Sequence, residues 1–238
     1  MTQTNSVEPG FREPLVNPDA TQIIDLASEI GKVMLICQAE CVTHERIGQV
    51  ESAQVDGGEI RVSGAAHDAR IDPSAVASVV LDTTSVMGGK VYPRLDFLGS
   101  EGEVLFAISG MDGLDAFLPP VAGFARSAAP ERPARAPASS ERPEVADDDP
   151  GRAPLALARE QAAELRIIFE RPGLRQSWRG RIEALKPAMG FLNVMTPDFH
   201  LHMRGGSVAR WREEAGRRIA LDHEGRRTDL VLESEGFA

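Results

Sequence analysis

The chain has 238 residues, a formal net charge of −10 and 42% hydrophobic residues, so it is long enough for one large or two small globular domains. It contains no run of about 18 apolar residues, the length that spans a membrane as a helix, and it begins without the basic and apolar segments of a secretion signal. The acidic total and an aromatic content of 5% argue against a general nucleic-acid binder. The sequence therefore predicts a cytoplasmic protein that binds neither membranes nor nucleic acid.

The first half of the chain is predicted to be a helix followed by short strands. Residues 1–18 form a polar N-terminal tail, and the segment DATQIIDLASEI after it has apolar residues at helical spacing, with Asp19 as the N-cap and Gly31 as the stop. Glycine-containing turns then separate short apolar runs such as EIRVSG and EVLFAISG, which is typical of antiparallel sheet. Residues 19–125 are therefore predicted to form one α+β unit, mainly antiparallel β.

A segment rich in proline, alanine and arginine divides the chain. Residues 126–152 contain no aromatic residue and almost no large aliphatic one, so burial is unable to offset the entropy of ordering them. We predict a flexible linker that proteases cut before either flanking unit unfolds. Beyond it, residues 151–238 hold fifteen Lys and Arg against twelve Asp and Glu, although the whole chain is acidic. An anionic ligand is expected to prefer this C-terminal part.

Residues 153–238 look like a second copy of residues 19–125. At an offset of 132 residues Gly48 matches Gly180, and the apolar pattern agrees on both sides of this pair. In this alignment the second copy ends before the counterpart of EVLFAISG. It is therefore predicted to be a truncated repeat without its last strand, and the uncovered sheet edge would offer a surface for a homo-oligomer.

The stretch FHLHMR in the second copy alternates apolar and polar residues with the period of a half-buried strand. His200 and His202 therefore point to the same side. Histidines at this spacing occur in zinc sites, which need a third and a fourth ligand, but the first copy has Asp68 and Arg70 at the equivalent positions. We predict a polar strand face that holds no metal; a contact to a ligand and a zinc site are the alternatives left open.

Several motifs, taken in order, resemble the cytosolic haem-utilisation proteins of the HemS/ChuX type. GKVMLICQAECVTHERIGQVES resembles the start of that family's first repeat, and RLDFLGSEGEVLFAISGMD resembles its strand–turn–strand ending. GRIEALKPAMGFLNV and FHLHMR are similar to motifs of the family's second repeat. The resemblance covers most of both copies and none of the linker. It implies two tandem HemS/ChuX-like repeats of antiparallel sheet with short flanking helices.

The resemblance also implies a ligand, haem or a related tetrapyrrole, which family members bind and carry in the cytoplasm and in some cases degrade. It points to Lys186, His202, Arg204 and Arg94 as residues that contact haem, since lysine and arginine match its propionates. The iron ligand stays unknown, because the family places a histidine between the repeats and residues 68–199 contain none. The alternative is a non-catalytic interaction or assembly protein that keeps the repeat fold and has lost haem ligation.

Overall fold

Two large antiparallel sheets make up the body of the protein, and each takes strands from both copies of the repeat. The computed structural model describes residues 10–127 and 144–234. Its helices are α1 (Ala20–Asp25), α2 (Leu114–Val121) and α3 (Ala153–Glu160). None of the helices in these two ranges is long and apolar enough to cross a membrane.

The strands follow one another at short intervals in both copies. In the first copy they are β1 (Arg12–Pro14), β2 (Lys32–Gln38), β3 (Val42–Gln49), β4 (Ser52–Asp56), β5 (Glu59–Ser63), β6 (Asp68–Ile71), β7 (Ser78–Asp82), β8 (Val86–Met87), β9 (Lys90–Val91), β10 (Arg94–Leu98) and β11 (Val104–Gly110). In the second copy they are β12 (Glu164–Arg171), β13 (Leu174–Arg181), β14 (Leu185–Ala188), β15 (Phe191–Thr196), β16 (Phe199–Arg204), β17 (Arg210–Glu214), β18 (Arg217–Leu221) and β19 (Arg227–Glu233).

Three strands of each copy cross into the sheet of the other. The first sheet has the order β1-β7-β10-β11-β2-β3-β16-β15-β14 and the second has the order β17-β18-β19-β12-β13-β6-β5-β4. Leu201 faces His44 where β16 meets β3, and Ala69 faces Gln176 where β6 meets β13. These two junctions are related by the offset of 132 residues. The predicted α+β fold of two mainly antiparallel tandem repeats is confirmed.

The last strand of the second copy, predicted to be missing, is present. β19 lies between β18 and β12, just as β11 lies between β10 and β2. The offset of 132 residues fails here because the β8–β9 hairpin is inserted before β10, whereas the turn Ala215–Gly216 alone joins β17 to β18. Arg94–Leu98 and Arg217–Leu221 are consequently only 123 residues apart. The edge of β12 that the sequence predicts to be uncovered, and open to a homo-oligomer, is therefore paired with β19.

Parts of the predicted tail and linker are packed against the sheets. β1 lies within the predicted tail and pairs with β7, and Leu15 after it is buried; the rest of the tail, residues 1–9, falls outside the described residues. Most of the linker, residues 128–143, also falls outside them. At its end the carboxylate of Asp149 is buried and accepts a hydrogen bond of 2.7 Å from the backbone N–H of Gly206. The expected flexible linker is thus wrong for this last part, because a buried carboxylate with such partners is held in place.

The core lies between the two sheets and joins the copies. Gln176 of β13 donates from Nε2 to the carbonyl of Leu35 on β2, at 3.1 Å. The ring of Phe199 on β16 stacks on Trp178 of β13, with centroids 4.7 Å apart. Because these contacts run from one sheet to the other, the opposite faces of both sheets point away from the core. The outward side of β16 is the one that carries the two histidines.

Candidate ligand-binding face

The outward side chains of β3, β14, β15 and β16 form one continuous surface, here called the β16 face. Along β16 the apolar residues Phe199, Leu201 and Met203 are buried, while His200 and His202 between them are partly exposed. Directly paired residues of neighbouring strands point to the same side, so the partners of the histidines belong to the same surface. The predicted polar strand face is therefore present.

Three of the four residues that the family resemblance singles out lie on the β16 face. Lys186 pairs with Asn193 across β14 and β15, and Asn193 pairs with His202 across β15 and β16. Arg204 follows two residues after His202 and is exposed. Among the described residues, no carboxylate lies within ion-pair distance of Lys186 or Arg204. Both side chains are exposed within the described ranges.

Arg94, the fourth residue, lies elsewhere. It belongs to β10, four strands away from β16 in the first sheet, which at about 4.8 Å per strand amounts to roughly 19 Å. Its Nε donates to Oδ1 of the buried Asp96 at 2.6 Å. Arg94 thus already pairs with a buried carboxylate, which Arg12 also approaches to 3.8 Å, and the structure does not place Arg94 with the other three.

Glu45 is the residue of this surface that the sequence does not reveal. It lies on β3 directly opposite His200. Its Oε2 is 3.2 Å from Nδ1 of His200 and 3.8 Å from Nε2 of His202. Within the first copy Glu45 is one of many carboxylates, and only the pairing of β16 with β3 brings it to the histidines. A comparison of equivalent repeat positions leads to Asp68 and Arg70 instead and misses it.

Asn193 fixes the orientation of the His202 ring. Its Nδ2 donates to the carbonyls of Lys186, at 2.9 Å, and Phe191, at 3.1 Å. Because a carbonyl only accepts, the amide oxygen of Asn193 must face His202, whose Nδ1 is 2.6 Å from it. Nδ1 therefore carries the proton. When the ring is protonated its other nitrogen, Nε2, carries an N–H toward Glu45, and when the ring is neutral Nε2 presents a lone pair there.

The charge of Glu45 is strongly favoured in the folded protein. Partial burial raises the pKa of Glu45, but the hydrogen bond of His200 and the proximity of the His202 ring, which favour the carboxylate most when the rings are protonated, outweigh it and lower the pKa to about 2. The carboxylate is thus ionised across the physiological range. A negative charge next to two imidazole nitrogens attracts cations.

The remaining histidines have structural contacts. His44 is fully buried, with Nε2 3.1 Å from the carbonyl of Ile167 and Nδ1 2.9 Å from Nε2 of Gln176. His67 is also buried, with Nε2 3.1 Å from the carbonyl of Gly48. His44 and His67 are therefore closed to an external ligand.

Apolar side chains border the imidazoles on the β16 face. Met195 pairs with His200 and is 57% exposed, and Phe191 pairs with Arg204 and is partly exposed. Met189, in the turn between β14 and β15, is 79% exposed. Large apolar residues exposed next to polar ones are a common feature of binding surfaces. The β16 face therefore combines imidazoles, cations and apolar contact area.

A groove at the far end of the second sheet offers different chemistry. It lies between the start of β12 and the turn from β17 to β18 and includes Arg166, Arg217 and Glu233. Arg217 donates to Glu170 at 2.6 Å and lies 3.1 Å from Glu233, and Arg166 also lies near Glu233, at 3.7 Å. The cations of this groove are already paired with carboxylates, so an anionic ligand gains little there.

No protein-family model and no curated protein matches this sequence. Solved structures do match it. The heme degrading enzyme ChuS of Escherichia coli O157:H7 superposes with a TM-score of 0.73 at 18% sequence identity, over 96% of this chain and 82% of ChuS. Apo-PhuS, a heme-binding protein from Pseudomonas aeruginosa, superposes with a TM-score of 0.72 at 16% identity, over 94% of this chain and 81% of PhuS. The chain therefore has the two-repeat fold of ChuS and PhuS, the fold that the resemblance to the haem-utilisation proteins implies.

Proposed function

We propose that this protein binds haem or a related tetrapyrrole on the β16 face. The observation that carries the proposal is the agreement of fold with ChuS and PhuS over both repeats and more than four fifths of either chain. ChuS is described as a heme degrading enzyme and PhuS as a heme-binding protein. Carrying haem in the cytoplasm would be the corresponding role here; oxidative degradation is not part of the proposal.

The chemistry of the β16 face supports this ligand. Haem is a flat apolar ring with two carboxylates at one edge and an iron atom that takes axial ligands. Met195 and Phe191 offer apolar contact, and Lys186 and Arg204 offer donors for the carboxylates. The imidazole of His202 lies between the two groups, and its Nε2, 3.8 Å from Glu45, is the nitrogen that would approach iron.

The direct experiment is a titration of the purified, haem-free protein with hemin, followed at the Soret band. The double variant His202→Ala with Arg204→Ala is expected to bind hemin a few-fold to tenfold more weakly, about the 1–2 kcal/mol that one charge-assisted contact contributes. His223→Gln and Arg212→Ala are matched controls, because they remove an exposed imidazole, which contacts the Gly206 carbonyl in the turn after β16, and an exposed guanidinium of β17. Both controls should titrate like the wild type.

Two results would contradict the proposal in different ways. An unchanged titration of the double variant would move the haem site away from the β16 face. The absence of any Soret shift in the wild type would remove haem binding altogether and leave the alternative of an interaction or assembly protein that keeps the repeat fold.

A further inference from the structure

We propose that Glu45, His200 and His202 form a binding site for a divalent first-row transition-metal ion, for which Zn²⁺ is the best match. The proposal does not depend on haem binding, since it uses three side chains of the haem-free protein. It revises the sequence-based prediction that this strand face holds no metal. The third ligand that the two histidines lack in the sequence is supplied by the neighbouring strand.

The three side chains already converge. One ligand atom from each of the three side chains lies within 4.8 Å of one from each of the others. Oε2 of Glu45 is 3.2 Å from Nδ1 of His200 and 3.8 Å from Nε2 of His202. Zinc bonds of about 2.0–2.1 Å in a tetrahedron place ligand atoms about 3.3 Å apart. Small side-chain rotations, with the strands unmoved, are enough to reach that spacing.

The protonation pattern also fits a metal ligand. A metal-binding imidazole usually donates its second N–H to a fixed acceptor, which sets the tautomer and the ring plane. Asn193 has this role for His202: its amide oxygen is 2.6 Å from Nδ1, and its own N–H groups are held by two backbone carbonyls. A cation between His202 and Glu45 would satisfy the lone pair and the carboxylate that face each other.

The donor set selects the class of metal. Two imidazoles and one carboxylate suit zinc and neighbouring transition metals, whereas calcium and magnesium require oxygen ligands. The side chains of Glu45, His200 and His202 are 16%, 22% and 30% exposed. Remaining coordination positions therefore point toward solvent, which makes the site open and its metal exchangeable. Haem iron and a bound metal ion would compete for His202.

The fold alone does not produce this cluster. The equivalent junction of β6 with β13 has Ser177 in place of Glu45, and Asp68 and Arg70 in place of the histidines. The hydroxyl of Ser177 donates to the carboxylate of Asp68 there. The same backbone arrangement thus holds an ordinary hydrogen bond in one sheet and three metal-binding groups in the other, because the side chains differ.

The test is a calorimetric titration of tag-free, haem-free, chelator-treated full-length protein with Zn²⁺. One equivalent should bind, and Co²⁺ in the same protein should give visible d–d absorption that Zn²⁺ displaces. Glu45→Gln and His202→Gln are expected to weaken zinc binding at least about tenfold, and Asn193→Ala about tenfold, as is usual for a residue that orients a metal ligand. His223→Gln removes an exposed imidazole that contacts the Gly206 carbonyl and none of the three proposed ligands, so it should leave binding unchanged.

Circular dichroism of each variant establishes that it is folded before it is compared. Absence of stoichiometric zinc binding in the wild type, or the same affinity in folded Glu45→Gln and His202→Gln, would overturn the metal site. The haem proposal is tested separately by the Soret titration, so either proposal can be contradicted without the other. Cys41→Ser is a second control, because its partly exposed thiol lies in the turn before β3 and is itself a possible zinc ligand. Loss of zinc binding in this variant alone would also contradict the assignment.

Discussion

The β16 face and its counterpart on β6 have the same backbone arrangement but carry different side chains. Both lie where three strands of one copy join the sheet of the other. The facing pairs are His200–Glu45 and His202–Thr43 on the first, and Asp68–Ser177 and Arg70–Arg175 on the second. Backbone hydrogen bonds set these positions in both sheets and do not specify the side chains, so Ser177 is buried at one junction while its equivalent Glu45 is partly exposed at the other.

Inward positions at the same junctions are subject to a different constraint. His44 and Gln176 are equivalent residues of the two copies, and they contact each other, with Nδ1 of His44 2.9 Å from Nε2 of Gln176. An inward change in one copy therefore alters the partner in the other copy. An outward side chain of one copy can therefore differ from its equivalent without affecting the other copy, whereas the inward residues His44 and Gln176 constrain each other.

The largest effect is expected from truncation of the inward ring of β16. Phe199→Ala removes a buried ring that stacks on Trp178 and lies 4.8 Å from the His44 ring, so the free energy of unfolding should fall by about 3–5 kcal/mol. His67 is the equivalent residue of the first copy, and His67→Ala should lower it by only about 1–2 kcal/mol, since it loses one hydrogen bond and a smaller ring. Urea unfolding at pH 7 measures both; equal losses would mean that the two junctions carry similar packing.

The next effect concerns the dependence of stability on pH. Burial lowers the pKa of His44 to about 3, against a smaller raising effect of its hydrogen bond with the Ile167 carbonyl. His44 is therefore protonated below about pH 6.5 in the unfolded chain, but only below about pH 3 in the folded protein. As the pH is lowered from 6.5 to 3, this residue should reduce the free energy of unfolding by up to about 1.4 kcal/mol per pH unit.

The variant His44→Gln isolates this contribution, since Gln176 shows that an amide is accommodated at the equivalent position. Urea unfolding at pH 6.5 and pH 5 should reveal a loss in the wild type that is about 2 kcal/mol greater than in the variant. Parallel losses in the two proteins would show that His44 takes up its proton in the folded state.

The smallest effect is expected at the outward pair of the second sheet. Ser177→Ala removes the hydrogen bond to Asp68, whose carboxylate is exposed and remains hydrated. The free energy of unfolding should fall by about 0.5–1.5 kcal/mol, and zinc binding should be unchanged. A loss of zinc binding in this variant would mean that the metal site lies on the β6 side, and that the two faces have been assigned the wrong way round.

The sequence by itself determines the local features of this protein. Alternation in FHLHMR predicts which side chains of β16 point outward, because successive residues of a strand face opposite sides. Asp19 is predicted as an N-cap, and its Oδ1 accepts from the backbone N–H of Thr21 at 2.9 Å. The offset between the copies predicts the repeat fold, since equivalent strands keep the same order of apolar residues and glycines.

Only the tertiary structure decided which distant residues meet. Glu45 and His200 are 155 residues apart in the chain and become neighbours because β16 joins the sheet of the other copy. The last strand was hidden because the β8–β9 hairpin changes the offset, and the buried Asp149 lies in a segment whose composition suggests a flexible linker. Strand exchange and such long-range contacts leave no periodic signal in a single sequence, because they depend on which surfaces pack together after each repeat has formed.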